Sequence, residues 1–187
     1  MSAFYTYIKT LIPVTPQLEA ALESSISRQT LSKNEILLNA REKCPFLYFI
    51  TSGLLRGYYF NEDKEVTHWF ARENEFATSF YAFITRERSA EFIQAIEHCE
   101  VIRINYDDLQ ALYHKFPETE RIGRLLIEQY YIRLESRLLG LQFTSAKERY
   151  QKLLSERPEL LQRVTLGQIA SYLGITQETL SRIRGEK

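Results

Sequence analysis

The sequence predicts an α+β chain: a β-rich N-terminal unit, one long central helix and a small helical C-terminal unit. Three observations carry this. From Ile36 to Ile104 the chain is a succession of short β-rich runs: ILL at 36, FLYFI at 46, LLRGYYF at 54, VTHWF at 66, EFATSF at 75, EFIQAI at 91 and VIRI at 101. Turn-like clusters (TSG, NEDKE, AREN, TRERS) separate them, and strands without intervening helices favour a sandwich or rolled barrel over a parallel sheet. After YDDLQALYHKFP the apolar spacing turns to threes and fours, and residues 165–184 read as two short amphipathic segments meeting at Gly174.

Composition limits the function classes. Lys+Arg and Asp+Glu balance at 24 each, so a nucleic-acid site must be a local patch rather than a global charge. From Arg121 to the end there are 12 basic residues against 7 acidic, which makes the C-terminal part the basic one. The two cysteines, Cys44 and Cys99, lie far apart, an arrangement that suits neither zinc, nor a disulfide framework, nor a four-cysteine iron–sulfur cluster. MSAFYTYIKTLIPVTPQ holds no long apolar run, so neither a signal peptide nor a membrane span is expected, and a cytoplasmic location is.

In chain order, Thr15 can cap a short helix that has Pro16 at its first position. The β-rich runs follow and complete a first unit over residues 1–116. Residues 117–143 form the long central helix, about 40 Å at 1.5 Å per residue, too long to stand unpartnered. Ile122, Leu125, Leu126, Gln129, Ile132, Arg133 and Ser136 follow a/d-like spacing and are the expected contact with a second copy, while an apolar spread wider than a strict seam suits packing on the β-rich unit as well. Residues 144–187 form the third unit, beginning with SAKERYQKLL, whose helix closes at Pro158.

In VTLGQIASYLGITQETLSRIR, Thr165 and Gln168 stand at capping-box spacing, and Ile169, Ala170 and Leu173 line one helix face. Gly174 permits a tight turn, Ile175 plugs it, Thr176 caps the next helix, and Leu180 and Ile183 face inward, as in a helix-turn-helix. The outward residues Gln177, Glu178, Ser181 and Arg182 suit base edges in a major groove. On pattern alone the pair also fits two helices closing an ordinary helical subdomain.

The run I-A-x-x-L-G-I-T-x-E-T-L-S-R-I resembles the helix-turn-helix of the cyclic-AMP receptor protein/FNR (Crp/Fnr) family of bacterial transcription regulators. The resemblance extends over almost the whole chain. It implies a cyclic-nucleotide-binding-like β-roll (a double-stranded β-helix), a long dimerisation helix and the helix-turn-helix, in that order. Gln177, Glu178 and Arg182 then occupy base-reading positions, with Gln177 standing where the family commonly has Arg. Family members usually continue into a β wing, for which Gly185, Glu186 and Lys187 are too few, so a wingless short variant or a truncated chain is expected. Expected phosphate contacts are Thr165, Thr176, Lys147, Arg149, Arg163, Arg184 and Lys187.

By the same resemblance the effector pocket involves Thr78, Ser79, Arg88 and Ser89. Thr78 and Ser79 stand where the family has Gly and Glu, so the ribose-binding carboxylate is missing, whereas Arg88-Ser89-Ala90 keeps the form of the phosphate-binding segment. A charged hairpin tip accounts for TRERSAE equally well. Cyclic AMP is therefore not the expected ligand, and no cofactor is. His68, His98 and His114 are scattered, no metal-ligand spacing or phosphate loop is present, and nothing in the sequence supports an enzyme. The expected partners are double-stranded DNA with an inverted-repeat operator, a second copy of the chain, an unidentified small effector and, by resemblance, RNA polymerase. The rival expectation is a small-molecule-binding or protein-interaction module whose helical tail does not bind DNA.

Overall fold

The computed structural model describes residues 3–185. Two short helices open it, α1 (Ala3–Leu11) and α2 (Pro16–Ser25). Thr15 caps α2 by accepting from the Leu18 N–H, with Pro16 at the first position, where its missing donor costs nothing. Eight strands follow: β1 (Ile26–Leu31), β2 (Ile36–Leu38), β3 (Phe46–Ser52), β4 (Leu55–Asn61), β5 (Lys64–Ala71), β6 (Phe76–Ala77), β7 (Phe92–Ala95) and β8 (Cys99–Asn105). A one-and-a-half-turn helix, α3 (Phe80–Thr85), interrupts them.

The strands pair antiparallel in two four-stranded sheets, ordered β1-β8-β3-β6 and β2-β7-β4-β5, the β-roll expected of the N-terminal unit. Sequence reading missed β1, whose ISRQTL exposes half of its side chains at a sheet edge and lacks an apolar run. It also overextended EFATSF. Only Phe76 and Ala77 pair with β3, after which Ser79 becomes the N-cap of α3. Phe4, Ile8, Phe49, Ile50, Leu55, Ile93 and Val101 are among the side chains that fill the core, where Phe49 meets Phe4 and Phe76 edge-on at 5.3 and 5.1 Å.

After α4 (Tyr106–Lys115) and a 3-10 turn at Pro117–Thr119, α5 (Glu120–Phe143) runs as the long central helix. Its Leu126 and Ile122 pack on the roll. The C-terminal unit comprises α6 (Ala146–Glu156), α7 (Leu160–Arg163), α8 (Leu166–Leu173) and α9 (Gln177–Gly185). Its apolar centre is shared, because Tyr150, Leu153, Leu160, Ile169, Leu173 and Leu180 cluster with Leu54, Phe70 and Ile96 of the roll. Ion pairs rim that contact: Arg163 with Glu73 and Glu97 at 2.8 and 2.5 Å, Arg72 with Glu159 at 2.5 Å, and Arg157 with Glu75.

Candidate nucleic-acid interface

Local chemistry builds the α8–α9 pair. Thr165 and Gln168 close a reciprocal capping box at the start of α8, and Gly174 ends it at φ +68°, a left-handed conformation that an L side chain disfavours. The turn also sits tight against the central helix, since a Cβ at Gly174 would stand 2.9 Å from Leu141 Cδ2. Thr176 caps α9 by accepting from the Thr179 N–H. Leu180 is fully buried, whereas Gln177, Glu178, Ser181 and Arg182 are all exposed. At about 100° per residue these four fall within an arc of about 140°, a single outward face. The Glu178 carboxyl is held below its usual range by a hydrogen bond with the Thr176 side chain and is ionised at neutral pH.

The expected phosphate contacts divide. Thr165, Thr176, Lys147 and Arg184 are exposed, and Lys187 lies outside the described residues. Two arginines are turned inward instead. Arg149 is half-buried and donates to the carbonyls of Leu173 at 2.9 Å and Thr144 at 2.5 Å, tying the end of α5 to the end of α8. Arg163 makes four hydrogen bonds to Glu73 and Glu97, which raise its pKa. Neither guanidinium is directed to solvent in this arrangement, because carboxylates and helix-terminal carbonyls of the same chain satisfy it.

The residues of the expected contact seam on α5 divide as well. Ile122 and Leu126 pack on the roll, Arg133 pairs with Glu75 at 3.4 Å, and Ser136 accepts from Lys152 Nζ at 2.7 Å. Leu125 is half-buried, whereas Gln129 and Ile132 are exposed. A different stripe is apolar throughout: Ile127, Tyr131, Leu134, Leu138 and Leu141 repeat at 4-3-4-3 spacing and are 41 to 60% exposed. Because α5 is apolar on several faces, periodicity alone could not tell the roll-facing stripe from the open one.

The structure brings three of the four expected effector residues together. The Ser89 hydroxyl lies 3.1 Å from Ser79 Oγ, both buried, and Thr78 donates to the Phe46 carbonyl beside Cys44. Arg88 does not join them; it is exposed and donates to the Arg41 carbonyl. The charged group buried near Ser89 is Glu91, which sequence reading passed over although it follows directly on Arg88-Ser89-Ala90. Its Oε2 meets His68 Nε2 at 2.5 Å and accepts from Trp69 Nε1 at 2.9 Å. Below it a cleft of about 420 Å³ separates α5 from the roll and α8, with His68, Trp69, Phe80, Tyr130, Arg137 and Tyr172 on its walls.

A four-thiolate cluster has no seat in this chain. Cys44 and Cys99 are both buried, and burial pushes both thiols up, away from the thiolate that ligation needs. Among the described residues no group of three or more His, Cys, Asp or Glu is placed to hold a metal ion, and no helix is long and apolar enough to cross a membrane.

Comparison with known proteins agrees with this geometry. Residues 28–116 match the cyclic nucleotide-binding domain family. The chain is 30% identical over 184 residues to the anaerobic regulatory protein of Haemophilus influenzae, covering 88% of this chain and 68% of that protein. It is 30% identical over 174 residues to the fumarate and nitrate reduction regulatory protein of Vibrio cholerae, covering 84% and 67%. Among solved structures, FixK2 from Bradyrhizobium japonicum shares the fold at a TM-score of 0.74 and 19% identity, covering 86% of this chain and 83% of that one. A CooA mutant from Carboxydothermus hydrogenoformans does so at 0.71 and 20%, covering 88% and 77%.

Proposed function

Since the chain belongs to the Crp/Fnr family of transcription regulators, we infer that it regulates transcription as a two-fold dimer seated on an inverted-repeat DNA site. The observation that carries this reading is the coexistence of two open surfaces on one chain: the polar face of α9 and the apolar 127–131–134–138–141 stripe of α5. Pairing of that stripe with its counterpart presents two copies of α9 on one side, with half-site centres about 34 to 36 Å apart, one turn of duplex. Arg182 and Gln177 then read bases by their forked donors and acceptors. Thr165, Thr176, Lys147 and Arg184 meet phosphates and fix register without reading sequence. The effector enters through the cleft beside His68 and Trp69, and the serine at position 79, where the family has a carboxylate, favours a ligand other than a cyclic nucleotide.

Selection of bound fragments from random DNA, at several salt concentrations, tests this reading. The expected result is one enriched sequence with two-fold symmetry and an affinity that falls steeply with salt. Retention of no fragment even at low salt would overturn it and favour a module that binds only small molecules or proteins.

A further inference from the structure

Strand β5 is the free edge of its sheet, so its outward backbone groups need partners from elsewhere. The C-terminal part of the chain supplies them, at Glu65 and Phe70 and twice at Thr67. The Thr67 N–H donates to Ser171 Oγ of α8 at 2.8 Å, and the Thr67 carbonyl accepts from Arg137 Nη2 of α5 at 3.1 Å. The Ser171 hydroxyl proton goes to the Glu65 carbonyl at 2.8 Å, so one serine bridges alternate residues of the edge. Arg137 also donates to the Tyr172 carbonyl at 2.7 Å. Roll, central helix and the first helix of the reading pair therefore meet on the backbone of Thr67, which is fully buried.

The next residue is where the strand is irregular. Tyr58 of β4 pairs with Thr67 and Gly57 pairs with Trp69, leaving His68 as the extra residue of a β-bulge. In a regular strand, neighbouring side chains point to opposite faces. Here His68 and Trp69 both reach the same oxygen of Glu91, which the bulge makes possible. Gly57 completes the arrangement, since a Cβ there would fall 2.1 Å from Trp69 Cε2, inside the indole. The buried carboxylate thus holds the bulge at position 68, and the bulge fixes which backbone groups β5 turns outward at 65 and 67.

We propose that Glu91 is a positioning residue for DNA recognition. Through the bulge at His68 it sets the edge onto which Ser171 and Arg137 lock, and so it fixes α8 and α9 relative to the dimer helix. When Glu91 loses its hold on His68 and Trp69, the Thr67 N–H and carbonyl withdraw from their partners and α8 loses its hydrogen-bonded register on β5, while the shared apolar centre and the ion pairs still hold it to the roll. The reading face itself is exposed in the docked arrangement, so the lock governs the spacing of two reading helices and not the chemistry of either.

The experiment uses the full chain and three variants, Glu91→Gln, Ser171→Ala and Ser171→Thr, with three readouts. These are hydrogen exchange at the Thr67 amide, emission of Trp69, the one tryptophan of the chain, and affinity for a two-half-site operator against a single half-site. Glu91→Gln is expected to change Trp69 emission, to speed Thr67 exchange about tenfold or more, and to weaken operator binding by a similar factor, leaving half-site binding unchanged. Ser171→Ala should reproduce the exchange and operator effects with Trp69 emission unaltered, and Ser171→Thr, which keeps the hydroxyl, should restore both. Altered emission with unaltered Thr67 exchange in Glu91→Gln would overturn the transmission. Faster exchange with full operator affinity in Ser171→Ala would overturn the positioning role, and the serine pair decides the matter if Glu91→Gln does not fold. The binding readout rests on the DNA-reading proposal above; the exchange readout does not, so failure of one is distinguishable from failure of the other.

Discussion

Arg137 donates to the carbonyl oxygen of Tyr172 at 2.7 Å while its guanidinium lies 4.6 Å over that residue's ring. The carbonyl belongs to the last turn of α8, where the helix dipole favours a cation, and burial lowers the Arg137 pKa without a carboxylate to offset it. Arg137→Ala should lower the unfolding free energy by about 2 to 3 kcal/mol, measured by urea denaturation, because buried carbonyls of β5 and α8 lose a charged donor. Arg137→Lys should recover less than half, since a point charge cannot serve two carbonyls and a ring together. A loss below about 0.5 kcal/mol would reduce the arginine to a surface charge.

Acid stability should depend on Arg163. Burial, the largest single influence, would raise the Glu73 carboxyl, but the hydrogen bonds and charge of Arg163 together with backbone N–H groups, that of Gly53 among them, outweigh it and hold the group below its ordinary value of 4.5. A carboxylate depressed in the folded state stabilises the fold above its unfolded pKa, and that contribution is lost as pH falls through the folded one. Unfolding free energy should therefore decline on the acid side of pH 4.5. The decline should be shallower in Arg163→Ala, whose Glu73 no longer has a cation to lose; equal acid profiles would contradict the assignment.

Assembly should follow the open stripe of α5. Leu138→Glu places a charge in the middle of the 127–141 repeat and should yield a monomer by light scattering, since each Leu contributes about 1.5 to 3 kcal/mol on burial and occurs twice per dimer. Ile132→Glu, on the flanking stripe, should leave the dimer intact. The reverse pattern would restore the seam through Gln129 and Ile132.

On DNA, Arg182→Ala should cost about 1 to 3 kcal/mol on the selected sequence and relax discrimination at its position. Arg184→Ala should weaken all sequences alike and reduce the salt slope by about 1. Arg163→Ala should leave the slope unchanged, because its charge is already neutralised by Glu73 and Glu97.

What could be read from sequence was local. Thr15, Thr165 with Gln168, and Gly174 announce helix ends by chemistry confined to a few residues, and FLYFI, LLRGYYF and VIRI announce buried strands by apolar content. The outward set on α9 follows from the position of Leu180 and Ile183. What escaped depended on partners distant in the chain. Arg149 and Arg163 have the same composition whether they face phosphate or Glu73, and only the docking of α6 to α8 on the roll decides between them. Glu91 is an ordinary acid until a bulge more than twenty residues upstream turns His68 and Trp69 toward it. The stripe on α5 needed to know which side of the helix the roll occupies.

Leu141 is the last member of the open stripe and also the side chain against which Gly174 turns. A partner helix laid along the stripe therefore presses, at its far end, on the hinge of the reading unit itself. In the proposed dimer, the pair of chains works as a calliper whose jaws are set where the handles cross, and the spacer between the two halves of the expected operator is a gauge of that crossing. Leu141 thus couples the contact between chains to the turn of the reading pair without touching a base.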